Sequence, residues 1–289
     1  MLWLVACLFD VSNPHFDGAG GSGDSAAVVA EEACSAGLIH LNGEVFASIQ
    51  DAADVALDDA VIELCPGEFR ENLDFRGPVT LRRMPGADGE VLLVGTQRAS
   101  VIRAREGGTF EELVITEGQG YKTDNGRFGG GLYTAGDTEV TDVVFRDNTA
   151  DYAAGFYAPE GDTATLTNVT FTSNVADTLG GGAVFAFGSS VTLVDCLFDG
   201  NRATFGGGFG TYGDTTTQMQ GTTFEGNNAS SAGGAMSLHT ATVVVSDGAF
   251  SGSFPQDVAL TYDTDSTDMD VPGTDFTCVA REVGELGCE

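Results

Sequence analysis

A repeat constrains this chain more than any other feature. Phe residues stand at 145, 171, 198, 224 and 250, in steps of 26, 27, 26 and 26. Each opens a related segment: FRDNTADYAAGFY, FTSNVADTLGGGAV, FDGNRATFGGGFG, FEGNNASSAGGAM and a worn FSGS. Three places after Phe stand Asn148, Asn174, Asn201 and Asn227, with Ser253 in the worn copy. Two further on stand Ala150, Ala176, Ala203 and Ala229. Gly155, Gly182, Gly208 and Gly234 follow, and the Phe171 copy holds one extra residue before its Gly. Before each Phe run two more columns: Val140, Leu166, Leu193, Met219 and Val245 five places back, and Val143, Val169, Cys196, Thr222 and Gly248 two places back.

Stacking accounts for such columns. If each repeat lies ~4.8 Å above the last in parallel pairing, equivalent residues superpose. Apolar columns then fill an interior. The Asn column can form an amide ladder at a turn that would otherwise bury unpaired polar groups. The Gly pair permits positive φ or close backbone approach at another corner. Antiparallel hairpins would need a turn every ten residues or so and would not repeat at 26. The expected fold is therefore all-β, a parallel solenoid over residues 36–262.

Upstream of the repeats, FASIQDAADVAL from Phe46 to Leu57 places apolar residues at 46, 49, 52, 53, 56 and 57, the spacing of a one-faced helix with Ser48 as N-cap. Short β-rich runs follow: VIELCPGEF from Val61, VTLRRM from Val79, VLLVG from Val91, ASVIRA from Ala99 and ELVITEG from Glu112. The helix is placed to cover one open end of the stack, and residues 263–289, an acidic loop and cap, the other.

These residues resemble a known family. The body is similar to the right-handed parallel β-helix of the pectate-lyase-like superfamily. The F-x-x-N and G-G-A pairs (FTSN…GGAV, FEGN…GGAM) resemble the repeats of polymorphic outer membrane proteins, and Phe46–Leu73 resembles the capping helix and first coil of such helices. The resemblance covers about residues 40–262 and does not extend to the C-terminal membrane barrel of those proteins. It speaks to fold more than to function. It implies that an enzyme of this kind would cut an acidic polysaccharide, using acidic residues to hold calcium and an Arg as base, or using a cluster of Asp residues.

The register allows a search for such a cluster. One residue after Phe, facing outward, stand Asp199 and Glu225 on adjacent coils, with Arg202 three places past Asp199. Close carboxylates can share a proton, bind a cation, or serve as acid and nucleophile. Two solvated turn carboxylates eased by Arg202 explain the same residues and are the preferred reading. Asp142, Asn168, Asp195, Gly221 and Asp247, three before Phe, read as local turns. The tail YDTDSTDMD, from Tyr262 to Asp270, could hold Ca²⁺ but lacks the Gly and Glu of an EF-hand loop and reads as a solvated loop. His15, His40 and His239 share no motif, and Cys196 occupies an apolar column. GRFGGGLY from Gly126 and FGGGFG from Phe205 recur with the repeat and read as structural, not as phosphate loops.

The formal net charge of −31, with one Lys, disfavours nucleic acid and anionic lipid as partners. The six Cys show no zinc spacing. For an exported protein the expected disulfides are Cys34–Cys65 and Cys278–Cys288, although four Cys allow three pairings and free thiols in a reducing compartment remain the alternative. LVAC at Leu4–Cys7 resembles a bacterial lipobox with Cys7 as the lipidated residue, and residues 8–35 read as a Gly/Ser/Asp-rich tether. A shortened secretory signal over residues 1–7 is the alternative and has the same export meaning. No run reaches the ~18–20 apolar residues of a spanning helix.

Together these point to an exported, surface-anchored monomer with a structural or adhesive role toward a polysaccharide, a cation or another surface protein, without a cofactor. The alternatives are a lyase or hydrolase acting on a uronate polymer through Asp199, Glu225 and Arg202, and a calcium-stabilised module.

Overall fold

The computed structural model describes residues 34–260 apart from 97, 179, 256 and 257, and the backbone of Cys278–Arg281 and Glu285–Cys288. Residues 1–33, with Cys7 and the tether, and residues 261–277, with the YDTDSTDMD segment, lie outside the described residues.

The chain winds as a parallel solenoid. One turn passes through four strands, as in Thr163–Thr167, Thr170–Thr172, Val175–Ala176 and Val184–Phe187. Stacked turns align these into sheet A (ten strands, ending at Ala241–Ser246), sheet B (eight, Gly67–Arg70 to Ala249–Ser251), the short sheet D (four, Thr149–Ala150 to Asn228–Ala232) and sheet C (eight, Leu73–Phe75 to Val258–Leu260). Pairing between successive turns is parallel. At the N-terminal end the strand Ile39–Leu41 runs antiparallel to both Glu44–Phe46 and Ala60–Leu64, a hairpin that the repeat pattern does not announce.

The interior follows the columns. Phe145, Phe171, Phe198, Phe224 and Phe250 are laterally paired. Their rings stack at 5.0, 4.9, 4.6 and 5.1 Å. The first four are fully buried, each contributing about 1.5–3 kcal/mol of burial, with about 0.5–1.5 kcal/mol more per ring pair. The same column continues upward through Ile115, Leu93 and Phe69. Val140, Leu166, Leu193, Met219 and Val245 are buried on sheet A.

Single left-handed residues make the corners. Between sheets A and B stand Glu112, Asp142, Asn168, Asp195, Gly221 and Asp247, and between B and D stand Glu117, Asp147, Ser173, Gly200, Gly226 and Gly252, all with positive φ. Asp and Asn tolerate this conformation better than other side chains, which suits the Asp/Asn column before Phe. Directly after the second corner lies the Asn column. Asn148 Nδ2 donates to Asn174 Oδ1 at 3.1 Å, Asn174 Nδ2 to Asn201 Oδ1 at 3.0 Å, and Asn201 Nδ2 to Asn227 Oδ1 at 3.0 Å. All four side chains are fully buried.

The corner leading into sheet C corrects the Gly alignment. Sheet pairing makes Phe156 equivalent to Val184, Val184 to Phe209, and Phe209 to Met236. Gly155 and Gly208 therefore superpose on Ala183 and Ala235, while Gly182 and Gly234 fall one place earlier. The extra residues are two in the Phe171 copy and one in the Phe224 copy, where the pairing of sheet D shifts register between Ala203 and Phe205.

The helix α1 spans Ile49–Val55, shorter than the 46–57 pattern. Phe46 ends a strand, and Ala56 is extended. Ser48 accepts the N–H of Asp51, and the two carboxylate oxygens of Glu71 take the N–H groups of Ile49 and Gln50 at 3.0 and 3.1 Å, tying the helix to the first coil. Ile49 and Ala52 face the core.

Candidate functional site

On sheet C residues alternate. Leu132, Phe156, Val184, Phe209 and Met236 point into the core, and the next residue in each strand faces out: Tyr133, Tyr157, Phe185, Gly210 and Ser237. Two places further on, Phe187 and Tyr212 pair laterally and His239 continues the line. This gives the outer face a ring column. Tyr133 and Tyr157 lie 5.4 Å apart, Tyr157 and Phe185 6.3 Å, Phe187 and Tyr212 5.7 Å, and Tyr212 and His239 4.4 Å.

A hairpin, Tyr121–Thr123 with Gly126–Phe128, grows out of the turn and walls one end. Tyr121 rests on Tyr133 at 4.9 Å, with the Arg103 guanidinium 3.9 Å above the Tyr121 ring. Phe128 stacks on Tyr152 at 4.6 Å and meets Tyr157 at 4.8 Å. Together these form a second apolar cluster, outside the cylinder.

Two glycines shape what remains open. A Cβ on Gly180 would stand 2.7 Å from the Phe185 ring, and one on Gly210 would stand 2.6 Å from the backbone N of Gly181. Their bareness lets the Phe185 ring lie down over the sheet. Beyond it, Ser237 keeps the floor low. The result is a groove of about 510 Å³, bounded by Phe185 and Tyr157 at one end, by Phe187, Tyr212 and His239 along one side, and by Phe205 and Gly180 along the other. Among the described residues it has no Lys or Arg lining.

The groove's polar groups sit at its margins. Burial raises the hydroxyl pKa of Tyr157, which lines the groove, and of Tyr133 beside it, so both remain protonated at neutral pH. Tyr157 is 8 % exposed. His239 is held by its stack on Tyr212, by its N–H to Thr211 Oγ1 at 2.9 Å, and by Nδ1 at 3.1 Å from Thr240 Oγ1.

The residues singled out from sequence lie elsewhere. Asp199 and Glu225 are lateral partners on sheet B, both exposed, and Arg202 opens the next strand of sheet D, also exposed. No ion pair joins Arg202 to either carboxylate, and no cluster of three or more His, Cys, Asp or Glu suited to a metal forms, among the described residues. Cys34 and Cys65 form a disulfide, with Cα atoms 5.3 Å apart. The backbone of Cys278 lies directly opposite that of Cys288 in an antiparallel pair, while their side chains lie outside the described residues. Cys196 is buried, and burial pushes its thiol pKa up to about 11.

The groove was missed in the sequence because its rings come from four turns and a hairpin. The available signal was the aromatic after each Gly corner: LY at 132–133, FY at 156–157 and VF at 184–185. The segments GRFGGGLY and FGGGFG, read as purely structural, supply Phe128 and Phe205 to it.

A crystal structure of the pectin methylesterase from Aspergillus niger, in deglycosylated form, is similar to this chain at 14 % sequence identity and a TM-score of 0.42, over 81 % of this chain and 84 % of that one. None of the curated proteins compared with this chain matches it. Residues 101–274, more than half of the sequence, match the family described as right handed beta helix region, and the chain belongs to that family of right-handed β-helices.

Proposed function

We propose that this protein is an exported, surface-anchored binding β-helix that takes a glycan in the groove on the outer face of sheet C and performs no chemistry on it. The observation that carries this reading is the groove itself: a preformed, ring-lined slot within the size range of ligand sites, on a rigid sheet. The Cys34–Cys65 disulfide and the acidic surface support an oxidising location outside the cytosol. A lipid on Cys7 would provide the anchor, and the intact mass of membrane-derived protein tests it. In this reading the protein acts as a monomer without a cofactor and does not bind nucleic acid.

Co-sedimentation with a panel of polysaccharides tests the binding role. Retention that falls about fivefold in Tyr212→Ala, with an unchanged melt, supports it, since one ring contact contributes about 1 kcal/mol.

A second reading, a uronate lyase or hydrolase, rests on the adjacency of Asp199 and Glu225. Turnover of polygalacturonate that disappears in Asp199→Ala would establish it and remove the non-catalytic reading.

A further inference from the structure

We infer that the groove selects a neutral sugar chain, laid along the solenoid axis with one pyranose per coil, and rejects uronates. This inference rests on the glycan-binding reading above.

Charge comes first. A uronate polymer carries one carboxylate per sugar, and proteins hold such groups with Arg or Lys. None lines the groove among the described residues, and the whole chain has a formal net charge of −31. The guanidiniums beside the aromatic cluster are engaged elsewhere: Arg103 is laid over Tyr121, and Arg127, next to the lining Phe128, donates to the carbonyls of Arg98 and Gly120. An anionic chain would enter a repulsive field and lose its hydration without compensation. A neutral chain has no such cost.

The lining favours sugar over a wholly apolar ligand. A pyranose has apolar C–H faces and a polar rim of hydroxyls. The slot presents rings along its length together with the polar residues Tyr157, Asn125, Ser237 and His239. Tyr157 lines the groove and carries a hydroxyl that stays protonated at neutral pH, a donor of the kind that a sugar hydroxyl would pair. A hydrocarbon would make no use of that donor.

The direction follows from the repeat. The slot crosses three successive strands of sheet C: Val184–Phe187, Phe209–Tyr212 and Met236–Leu238. Strands rise by ~4.8 Å per coil, close to the advance of an extended pyranose chain per sugar. A chain along the axis therefore passes the edges of Phe187, Tyr212 and His239 in turn, in phase, since their faces stack on one another. One laid across the axis would leave the slot after a single ring.

Titration calorimetry tests this with neutral gluco-, manno- and N-acetylhexosamine oligosaccharides of one to five sugars, against oligogalacturonates of equal length, at low and high salt. The expected result is binding of a neutral series. Its affinity rises up to about three sugars and then levels, is insensitive to salt, and falls about fivefold in both Tyr212→Ala and Phe187→Ala. Asp199→Asn and Glu225→Gln leave it unchanged. Tighter binding of the uronates overturns the inference but leaves a glycan-binding role standing. Binding of neither sugar class, or of an aryl compound or a protein in their place, overturns both. Neutral binding that Tyr212→Ala and Phe187→Ala do not weaken moves the site off this groove and overturns the inference. A thermal melt of each variant identifies loss of fold. Tyr212 is 49 % exposed, so its truncation is the variant least tied to folding.

Discussion

Asn201 accepts, through one side-chain oxygen, both the backbone N–H and the side-chain amide of Asn174, each at 3.0 Å. Its own amide donates to the carbonyl of Phe171 at 2.9 Å and to Asn227 Oδ1 at 3.0 Å. The amide is thus fully used, in a place without exposure. Asn201→Ala strands the Asn174 backbone N–H and takes one partner each from the Asn174 amide, the Phe171 carbonyl and Asn227 Oδ1. With about 1–3 kcal/mol for each buried group left unpaired, a loss of about 3 kcal/mol or more is expected in urea unfolding. Asn201→Asp keeps the acceptor but turns a second acceptor toward two oxygens. It should destabilise more at neutral pH than in acid, where protonation restores a donor.

The legible part of this fold is the part in which stacking demands the same residue again. Phe171 must superpose on Phe198 and Asn174 on Asn201, so an interval of 26 or 27 residues exposes both columns. Above Phe145 the same core column holds Ile115 and Leu93, and the hairpin 121–128 stretches one step to 30 residues. Burial asks only for an apolar side chain there, so no identity recurs. The groove is less legible still. Phe128, Tyr152 and Phe185 belong to a hairpin, a corner and a strand, at no common interval, and only the stacked backbone joins them. The Asp199 and Glu225 adjacency was readable because both follow a column Phe, but exposure and the lack of a third partner among the described residues are facts of three dimensions.

Two glycines at different corners of the same solenoid turn should respond differently to alanine. Gly200 has φ +62 with nothing near a would-be Cβ, and Asp147 and Ser173 fill the same corner in other coils. Gly200→Ala should cost only about 1–2 kcal/mol for the left-handed conformation. A Cβ on Gly207 would stand 2.3 Å from the Gly234 carbonyl oxygen and 2.6 Å from that of Asn228, both backbone. Gly207→Ala must part adjacent coils and should cost about 3 kcal/mol or more. Denaturant midpoints of the two variants make the comparison, and equal losses would contradict it.

Reduction of the Cys34–Cys65 bridge frees a segment of 31 residues that includes α1 and the N-terminal hairpin. The chain-entropy term for such a loop is about 3–4 kcal/mol. Reductant should lower the melting temperature of the parent, and Cys65→Ser should melt at that lower temperature with or without reductant. Over the same series Cys196 should resist alkylation at neutral pH until the protein unfolds, because its thiol is buried and its pKa is pushed up to about 11.

Acid should weaken the first coils through two carboxylates. The hydrogen bond from Arg105 holds the Asp74 carboxyl below its ordinary range against the opposing effect of burial, and Arg83 does the same for Glu112. A depressed folded-state pKa adds stability that is present above the unfolded value and lost as pH falls through the folded one. Melting temperature should therefore fall below about pH 4, and less steeply in Arg105→Gln than in the parent. An identical slope in both would remove the Arg105–Asp74 pair as a cause.

Asp199 and Glu225 face the same side of two adjacent parallel strands, both exposed, and neither is ion-paired to Arg202 among the described residues. Like charges directly across a strand pair are destabilising by about 0.2–1 kcal/mol. If the pair has no further duty, Asp199→Asn relieves that repulsion and raises the melting temperature slightly at low salt. The gain should vanish at high salt, where exposed charges are screened. Calcium offers the sharper reading. Two carboxylates with no third ligand bind the ion weakly, so calcium and chelator should leave the melt of the parent where it is. An upward shift in calcium that Asp199→Asn abolishes would show that the pair holds a cation, and would return weight to a calcium-dependent role for sheet B.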